Sequence, residues 1–315
     1  MVKAIMFLII ALIFLAWSAN KLVIGAATLA HNIGLSPIVI GMTILAIGSS
    51  IPEMILSITV AMEGKINTAV GNILGSNIAN VTLILGILAM VKPVSLNTSA
   101  LYRELPLMII VTSIAGTVLW DHHLSLCEGL WLLIAFITLT LVIVHISRKN
   151  KTNIKEKNIS KNMSNFKALI WTIFALIVLP LSSDNLVSNA VLIAKHFGMS
   201  DLMIGLTIIS VGTSLPELTT SLVGILKGES DMVIGNIIGS NIFNILVVMG
   251  ISGILNPSFL TNYAMERDFW VMFSVSLLLV TMVLDKSRTI NFIKGSILLT
   301  LFVAYQTYLI ININA

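Results

Sequence analysis

The stretch Gly48-Ser-Ser-Ile-Pro-Glu53, which recurs as Gly212-Thr-Ser-Leu-Pro-Glu217, decides the fold of this chain. Each copy places one carboxylate, two hydroxyls and a helix-breaking proline inside an apolar run of membrane-spanning length. An ionised Glu inside a bilayer is costly, so such a residue usually faces a partner, a cavity or an ion path. No Lys or Arg stands within ten residues of Glu53. Two copies in register therefore indicate a site rather than a tolerated kink.

The prolines and hydroxyls of these copies suggest what the site binds. Pro52 and Pro216 lack the N–H of a helix, so the carbonyls four residues earlier lose their helical donor. Freed carbonyls inside a membrane need a donor, water or a cation, and transporters build ion sites from such broken helices. At helical spacing the hydroxyls share the face of the following Glu. Oxygen ligands of these kinds suit Na⁺, Ca²⁺ or Mg²⁺.

The composition places the chain in a membrane. Its 315 residues are 57% hydrophobic and 10% charged, with a mean hydropathy of +1.01, which excludes an ordinary soluble domain. The apolar stretches are long, whereas strands of a membrane barrel would alternate over about ten residues. The first stretch, from Ala4 to His31, lacks a convincing signal-peptide cleavage site, so we expect a transmembrane helix there. We predict an all-α polytopic membrane protein.

Cysteine, histidine and the basic residues indicate no separate chemistry. Cys127 is the only cysteine, which excludes an intramolecular disulfide and a cysteine-based metal cluster. The five histidines fall at predicted helix ends or in loops. Seven of the eighteen basic residues lie between Arg148 and Lys167, so the net charge of +4 is a topology signal rather than evidence for nucleic-acid binding. We expect membrane lipid around the protein, and no nucleic acid, cofactor or obligate protein partner.

The chain is an internal repeat. Adding 164 to a first-half position reaches its second-half counterpart, as 217 − 53 shows for the two glutamates. The same offset, without a gap, pairs Gly34 with Gly198, Asn80 with Asn244 and Asp121 with Asp285. We predict a first five-helix repeat at 1–147, a basic linker at 148–165 and a second repeat at 166–315.

Ten transmembrane spans are predicted. They are 4–30, 36–62, 68–91, 105–121, 126–146, 168–195, 200–226, 232–255, 269–285 and 291–310. Because each repeat holds five spans, an odd number, the copies should enter the membrane in opposite orientations, as in many transporters. The positive-inside rule places the basic linker in the cytoplasm and both termini outside.

A second motif occurs once in each repeat, at Gly71 to Asn80 and at Gly235 to Asn244, and reads Gly-Asn-Ile-x-Gly-Ser-Asn-Ile-x-Asn. Its glycines form a small-xxx-small face suited to close helix packing. Its serine and its last asparagine are four residues apart and share a face, so we expect them to meet the broken helices. Asn72 and Asn236 are candidates either for holding the broken helices or for contacting the ion.

With both motifs in view, the chain resembles the sodium/calcium exchanger branch of the cation/calcium antiporter superfamily, and especially its compact bacterial inner-membrane members. The resemblance covers nearly the whole length, and two motifs, each present twice, make it specific. The related proton/calcium exchangers typically carry a glutamate after the Gly-Asn of the second motif. This sequence has none there.

The resemblance implies Na⁺/Ca²⁺ exchange across the bacterial inner membrane. It implies a site enclosed by the second, third, seventh and eighth helices, with the first and sixth sliding across it. Carried over by position, the implied ligands are the carboxylates of Glu53 and Glu217, the hydroxyls of Ser49, Ser50, Thr213, Ser214, Ser76 and Ser240, the carbonyls of Ala46 and Ser210, and the side chains of Asn80 and Asn244.

Two positions depart from the family pattern. Ser49 replaces the usual Thr but keeps the hydroxyl. Asn244 stands where some relatives, including potassium-dependent ones, have Asp, so this site offers two carboxylates rather than three. That difference argues against potassium co-transport. Two carboxylates balance one Ca²⁺, and exchange is electrogenic if more than two Na⁺ move against it.

Four alternatives remain open from the sequence. A proton-driven antiporter for Ca²⁺ or another cation could use the two glutamates as proton carriers. An ion channel could use the same polar path, although inverted broken-helix repeats fit a carrier better. An intramembrane enzyme lacks a Ser/His, paired-Asp or His-rich metal constellation, so we expect no enzymatic activity. A structural membrane protein would tolerate Glu to Gln changes at both positions.

Overall fold

The apolar segments form helices throughout the part of the chain that the structure describes. The computed structural model describes residues 1–149, 163–199, 208, 210–261, 264–285 and 287–313. Of the predicted linker, residues 150–162 lie outside this description, as does most of 200–209 at the start of the seventh predicted span.

The first half contains six helices because one predicted span is broken. They are α1 (Val2–Ile33), α2 (Pro37–Ser49), α3 (Ile51–Met62), α4 (Ile66–Val91), α5 (Ala100–Leu119) and α6 (Leu126–Lys149). Helix α5 begins earlier than the predicted 105 because its charged first turn is neutralised. There, Glu104 is paired with Arg103 and accepts a hydrogen bond from Ser99 Oγ at 3.1 Å.

The described residues of the second half form α7 (Asn165–His196), α8 (Ser210–Thr213), α9 (Leu215–Leu226), α10 (Ser230–Leu255), α11 (Trp270–Val283) and α12 (Phe292–Ile313). Over the described residues of both halves, seven helices are long and apolar enough to cross a membrane. The bent pair of α2 and α3 would make an eighth. The chain is therefore an all-helical, multi-pass membrane protein.

Wider π-helical turns interrupt several helices. One lies within α2 at Gly41–Leu45, one in α4 at Asn80–Ile84, one opens α5 at Ala100–Glu104, one lies in α10 at Asn244–Met249, and one precedes α11 at Ala264–Phe269. The turns that begin at 80 and 100 recur 164 residues later, at 244 and 264. Such turns often occur at functional sites, and two of them begin at an asparagine of the second motif.

Two short antiparallel strand pairs join loops of the two halves. Strand β1 (Val94–Ser95) pairs with β4 (Thr289–Ile290), with Val94 opposite Ile290. Strand β2 (His123–Leu124) pairs with β3 (Ser258–Phe259), with His123 opposite Phe259. Each pair links the two repeats outside the helices.

Helices α4 and α10 lie in the centre of the molecule. In the most apolar part of α4, 78% of the residues are buried, and 89% in α10, against 22% in α1 and 11% in α6. Helices α1 and α7 pack along each other, and α1 also contacts α9. The second motif of each repeat therefore lies in the core, while the α1–α7 pair lies outside it.

The expected close packing of the second motif is confirmed for α10. A Cβ on Gly235 would lie 2.2 Å from the carbonyl oxygen of Ile38, and a Cβ on Gly239 would lie 2.5 Å from Met42 Cα. Only glycine allows α2 this close. The segment that would correspond to this part of α2 in the second half, 202–206, lies outside the described residues.

Candidate cation site

Both first motifs break their helix at the serine two residues before the proline. Ser50 has φ −84° and ψ 8°, and the axes of α2 and α3 differ by 49° there. Ser214 has nearly the same conformation, φ −87° and ψ 4°, between α8 and α9. Each proline then lies in the first turn of the next helix, where a missing N–H costs nothing. The prolines thus start new helices rather than kink continuous ones.

One of the two freed carbonyls receives a donor from α7. Ser183 Oγ donates to the carbonyl oxygen of Gly212 at 3.0 Å. The residue 164 positions before Ser183 is Ala19, which has no hydroxyl to offer Gly48. The prediction that a freed carbonyl needs a partner is confirmed for Gly212. The two repeats are not equivalent at this point.

The two glutamates are buried together in the core. Glu53 is 1% exposed and Glu217 is 2% exposed, and each accepts a bond from the serine three residues before the other. Ser50 Oγ donates to Glu217 Oε1 at 2.8 Å, and Ser214 Oγ donates to Glu53 Oε1 at 3.4 Å. Helical spacing placed each serine on the face of its own glutamate. Because the helix breaks at the serine, each observed bond crosses instead to the glutamate of the other repeat.

Three oxygen atoms in this region are buried without a hydrogen-bond partner. They are Glu53 Oε2, Glu217 Oε2 and Asn244 Oδ1. All three are acceptors, and no basic side chain among the described residues lies within 4 Å of either carboxylate. Unpaired buried carboxylates are costly, and two beside each other repel when ionised. A cation or bound protons would relieve this cost.

Several other residues of the implied ligand set lie around the carboxylates. Ser240 Oγ is 3.1 Å from Ser50 Oγ, and Ser49 Oγ donates to Asn236 Oδ1 at 3.3 Å. The carbonyl oxygen of Ala46 accepts from the backbone N–H of Ser50 at 3.1 Å, which leaves one lone pair free. The structure therefore joins elements of both repeats through Ser49, Ser50 and Ser240.

The remaining implied ligands are placed less directly. Ser76 and Thr213 are both buried. Ser210 is the first residue of α8, and its side chain lies outside the described part of the structure. Asn80 and Asn244 are buried and bond across the repeats, Asn80 Nδ2 to Asn241 Oδ1 at 2.9 Å and Asn244 Nδ2 to Asn77 Oδ1 at 3.1 Å.

Asn72 and Asn236 hold the broken helices. Asn72 Nδ2 donates to Ser57 Oγ at 3.0 Å, and Asn236 Nδ2 makes the matching bond to Ser221 Oγ at 3.0 Å. Each bond ties the helix after a break to the neighbouring core helix. Of the two hypotheses for these residues, the geometry supports the structural one.

Sequence reasoning missed three contributors. Asn77 and Asn241 lie inside the second motif but were not singled out. Their signal was a further asparagine, identical in both copies, in the middle of a membrane helix. Ser183 lies in α7, where the repeat comparison pairs it with an alanine, and nothing in the sequence indicates its role. Within the described ranges no group of three or more His, Cys, Asp or Glu side chains could hold a resident metal.

Both halves of the chain match a known protein family. A sequence model of the family described as "Sodium/calcium exchanger protein" matches residues 3–144 and 167–311. A protein named CaxA from Alkalimonas amylolytica is 44% identical over 313 residues, covering 97% of this chain and 98% of its own. The inner membrane protein YrbG of Escherichia coli is 39% identical over 285 residues, covering 88% of both chains.

Solved structures of the sodium-calcium exchanger NCX_Mj share this fold. One, obtained with zero Na⁺ and Ca²⁺, has a TM-score of 0.85 and 28% identity, covering 98% of this chain and 99% of the other. A second, soaked with 10 mM Na⁺, has a TM-score of 0.84 and 29% identity, covering 96% and 97%.

Proposed function

Because this chain belongs to the sodium/calcium exchanger protein family, whose members are membrane antiporters, we propose that it exchanges Na⁺ for Ca²⁺ across the plasma membrane by alternating access. One observation carries the proposal within that family. Two buried glutamates and an asparagine from opposite repeats leave three acceptor oxygens without a partner at the meeting point of two broken helices.

The donor set suits hard cations. Carboxylate, hydroxyl, amide and carbonyl oxygens are the usual ligands of Ca²⁺, and the same oxygens can take Na⁺. Two carboxylates neutralise one Ca²⁺, while three or more Na⁺ would bring excess charge and make the exchange electrogenic. We propose that Glu53 and Glu217 supply the charge. The remaining proposed ligands are Ser49, Ser50, Ser76, Ser240, Thr213, Ser214, Asn80, Asn244, and the carbonyls of Ala46 and Ser210.

We propose ten transmembrane spans in two inverted repeats, 1–147 and 166–315, joined by a cytoplasmic linker, with both termini outside. The crossed bonds support a two-fold relation between the repeats. Ser50 bonds to Glu217 as Ser214 bonds to Glu53, and each partner differs from its counterpart by 164. Such an exchange of partners is expected when a two-fold axis relates two copies.

Alternating access is proposed to move α1 and α7 across this core. The glycines of the first motif lie against α7, since a Cβ on Gly48 would lie 2.0 Å from Leu176 Cδ2 and one on Gly212 would lie 2.3 Å from Val187 Cγ2. The contacts are apolar on both sides. Such a movement would break the bond between Ser183 and Gly212.

The alternative is a proton-driven antiporter for Ca²⁺ or another cation. Adjacent buried carboxylates can carry protons as well as metal ions, so the same three oxygens support it. The two functions differ in the gradient that drives Ca²⁺ movement.

Transport by purified protein in liposomes tests both. Liposomes loaded with Na⁺ and diluted into Na⁺-free buffer with Ca²⁺ should take up Ca²⁺, and E53Q and E217Q should abolish uptake. The control is E63Q, because Glu63 is exposed at the end of α3 and pairs with Lys65 at 2.8 Å, away from the core.

The outcomes separate the hypotheses. Uptake driven by a pH gradient but not by Na⁺ would establish the proton-driven alternative. Full Na⁺-dependent uptake in both glutamate variants would refute the proposed site. An effect of an imposed membrane potential on uptake would establish electrogenic exchange.

A further inference from the structure

Four asparagines form a crossed network between α4 and α10. Asn77 and Asn80 lie on α4, and Asn241 and Asn244 lie on α10, each no more than 2% exposed. An asparagine amide has an oxygen that accepts and an NH₂ group that only donates. A cation is attracted by the oxygen and repelled by the NH₂ group. The direction of each amide therefore matters at a cation site.

The direction of Asn244 follows from a chain of two bonds. Asn77 Nδ2 donates to the backbone carbonyl oxygen of Asn241 at 3.2 Å. Because a carbonyl oxygen cannot donate, Asn77 must present its NH₂ group there and its Oδ1 on the other side. That Oδ1 accepts from Asn244 Nδ2 at 3.1 Å. Asn244 is thereby left with its Oδ1 turned away, buried and without a partner.

The direction of Asn80 follows from the mirrored chain. Asn241 Nδ2 donates to Met108 Sδ at 3.6 Å, and a thioether sulfur can only accept. Asn241 Oδ1 therefore faces Asn80 and accepts from its Nδ2 at 2.9 Å. The NH₂ group of Asn80 is occupied by this bond, which leaves its oxygen for the other side.

We propose that Asn77 and Asn241 are positioning residues that fix the amides of Asn244 and Asn80 so that both turn their oxygens toward the transported cation. The inference rests on the proposed cation site. Asn244 is four residues after Ser240, on the same face of α10, and Ser240 contacts Ser50 beside Glu217. Asn244 therefore lies on the face of α10 that contacts the carboxylate cluster through Ser240.

Substituting Asn77 by leucine, in two backgrounds, tests the proposal. In N77L the amide of Asn244 is free to flip, and we expect the Ca²⁺ concentration for half-maximal transport to rise about tenfold, as for loss of one buried polar bond. In N244D both side-chain oxygens are acceptors, so the direction no longer matters. Adding N77L to N244D should then change this concentration by less than about threefold. Equal weakening in both backgrounds would show a merely structural role and overturn the proposal.

Substitutions at two matched methionines test the bonds from Met108 through Asn241 to Asn80, with little change in side-chain volume. Met108 is the acceptor of Asn241 Nδ2. Met272 occupies the corresponding position, 3.5 Å from Asn77 Nδ2, but Asn77 also has the carbonyl oxygen of Asn241. We expect M108L to weaken Ca²⁺ binding about threefold and M272L to leave it unchanged, because Met to Leu changes are well tolerated in cores. Equal effects of M108L and M272L on Ca²⁺ binding would overturn the proposal. If N77L does not fold, the comparison of these two methionine variants is the test.

A binding measurement separates failure of this inference from failure of the proposed function. Purified wild-type protein should gain thermal stability on addition of Ca²⁺ or Na⁺. No gain with either ion would refute the cation site. The positioning role of Asn77 would then be tested in ion-free protein, where N77L should lower the melting temperature less in N244D than in wild type. An equal decrease would overturn it.

Discussion

The two crossed serine–glutamate bonds make the sharpest test of the site, because the same change can be made in each repeat. Ser50 Oγ donates to Glu217 Oε1 at 2.8 Å, whereas the bond from Ser214 Oγ to Glu53 Oε1 is 3.4 Å long. A buried hydrogen bond contributes about 0.5–1.5 kcal/mol net when its geometry is good, and much less near the distance limit. The S50A and S214A variants should therefore differ.

The expected magnitudes follow from the neighbours of each hydroxyl. Ser50 Oγ has two buried partners, Glu217 Oε1 at 2.8 Å and Ser240 Oγ at 3.1 Å. S50A thus removes the bonds to both partners, which should cost about 1–3 kcal/mol in the free energy of unfolding. S214A should cost less than about 1 kcal/mol.

The assay is unfolding of ion-free protein in mixed micelles with increasing SDS, followed by the fluorescence of the five tryptophans. Ion-free conditions matter because a bound cation would compete for the same carboxylate oxygens. S57A, which removes the acceptor of Asn72 near Glu53, is a control for loss of a hydroxyl in the same core. Equal losses for S50A and S214A, or a larger loss for S214A, would refute the assignment of crossed bonds of unequal strength.

Three further predictions concern residues around the site. S183A should lower the free energy of unfolding by about 1–3 kcal/mol, because the Gly212 carbonyl loses its donor, and an unchanged free energy would contradict this. G235A should destabilise the protein by about 1–3 kcal/mol because its Cβ would meet the backbone oxygen of Ile38 at 2.2 Å, and G224A, whose Cβ would meet only the side chain of Val233, should cost less in the same assay. A hydrogen bond from Lys294 lowers the pKa of Asp285 below its ordinary 3.8. The stabilising effect of Asp285 is therefore present above pH 3.8 and is lost as the pH falls through the lowered pKa. The difference in the free energy of unfolding between wild type and D285N should shrink toward zero in acid, and a difference that stays constant with pH would contradict the prediction.

The sequence by itself determined the class of protein and the residues at its centre. Hydropathy over long runs is a local property, and it predicts helices in a membrane whatever their later packing. The 164-residue offset and the two motifs identified both glutamates, and the structure buries both of them in one region. The family resemblance drawn from these motifs is confirmed by the match over residues 3–144 and 167–311.

The tertiary structure alone decided which atoms meet. Helical spacing predicts neighbours along one helix, but the chain breaks at Ser50 and Ser214, so the serine bonds cross to the other repeat. The start of α5 at Ala100 depends on the local pairing of Arg103 with Glu104. The bond from Ser183 depends on Gly212, a partner distant in sequence. Amide direction depends on which neighbour can only accept, which a sequence motif does not contain. These features are set by contacts between distant segments, such as those of Ser50 and Ser240, 190 residues apart, and the order of residues along one segment does not encode them.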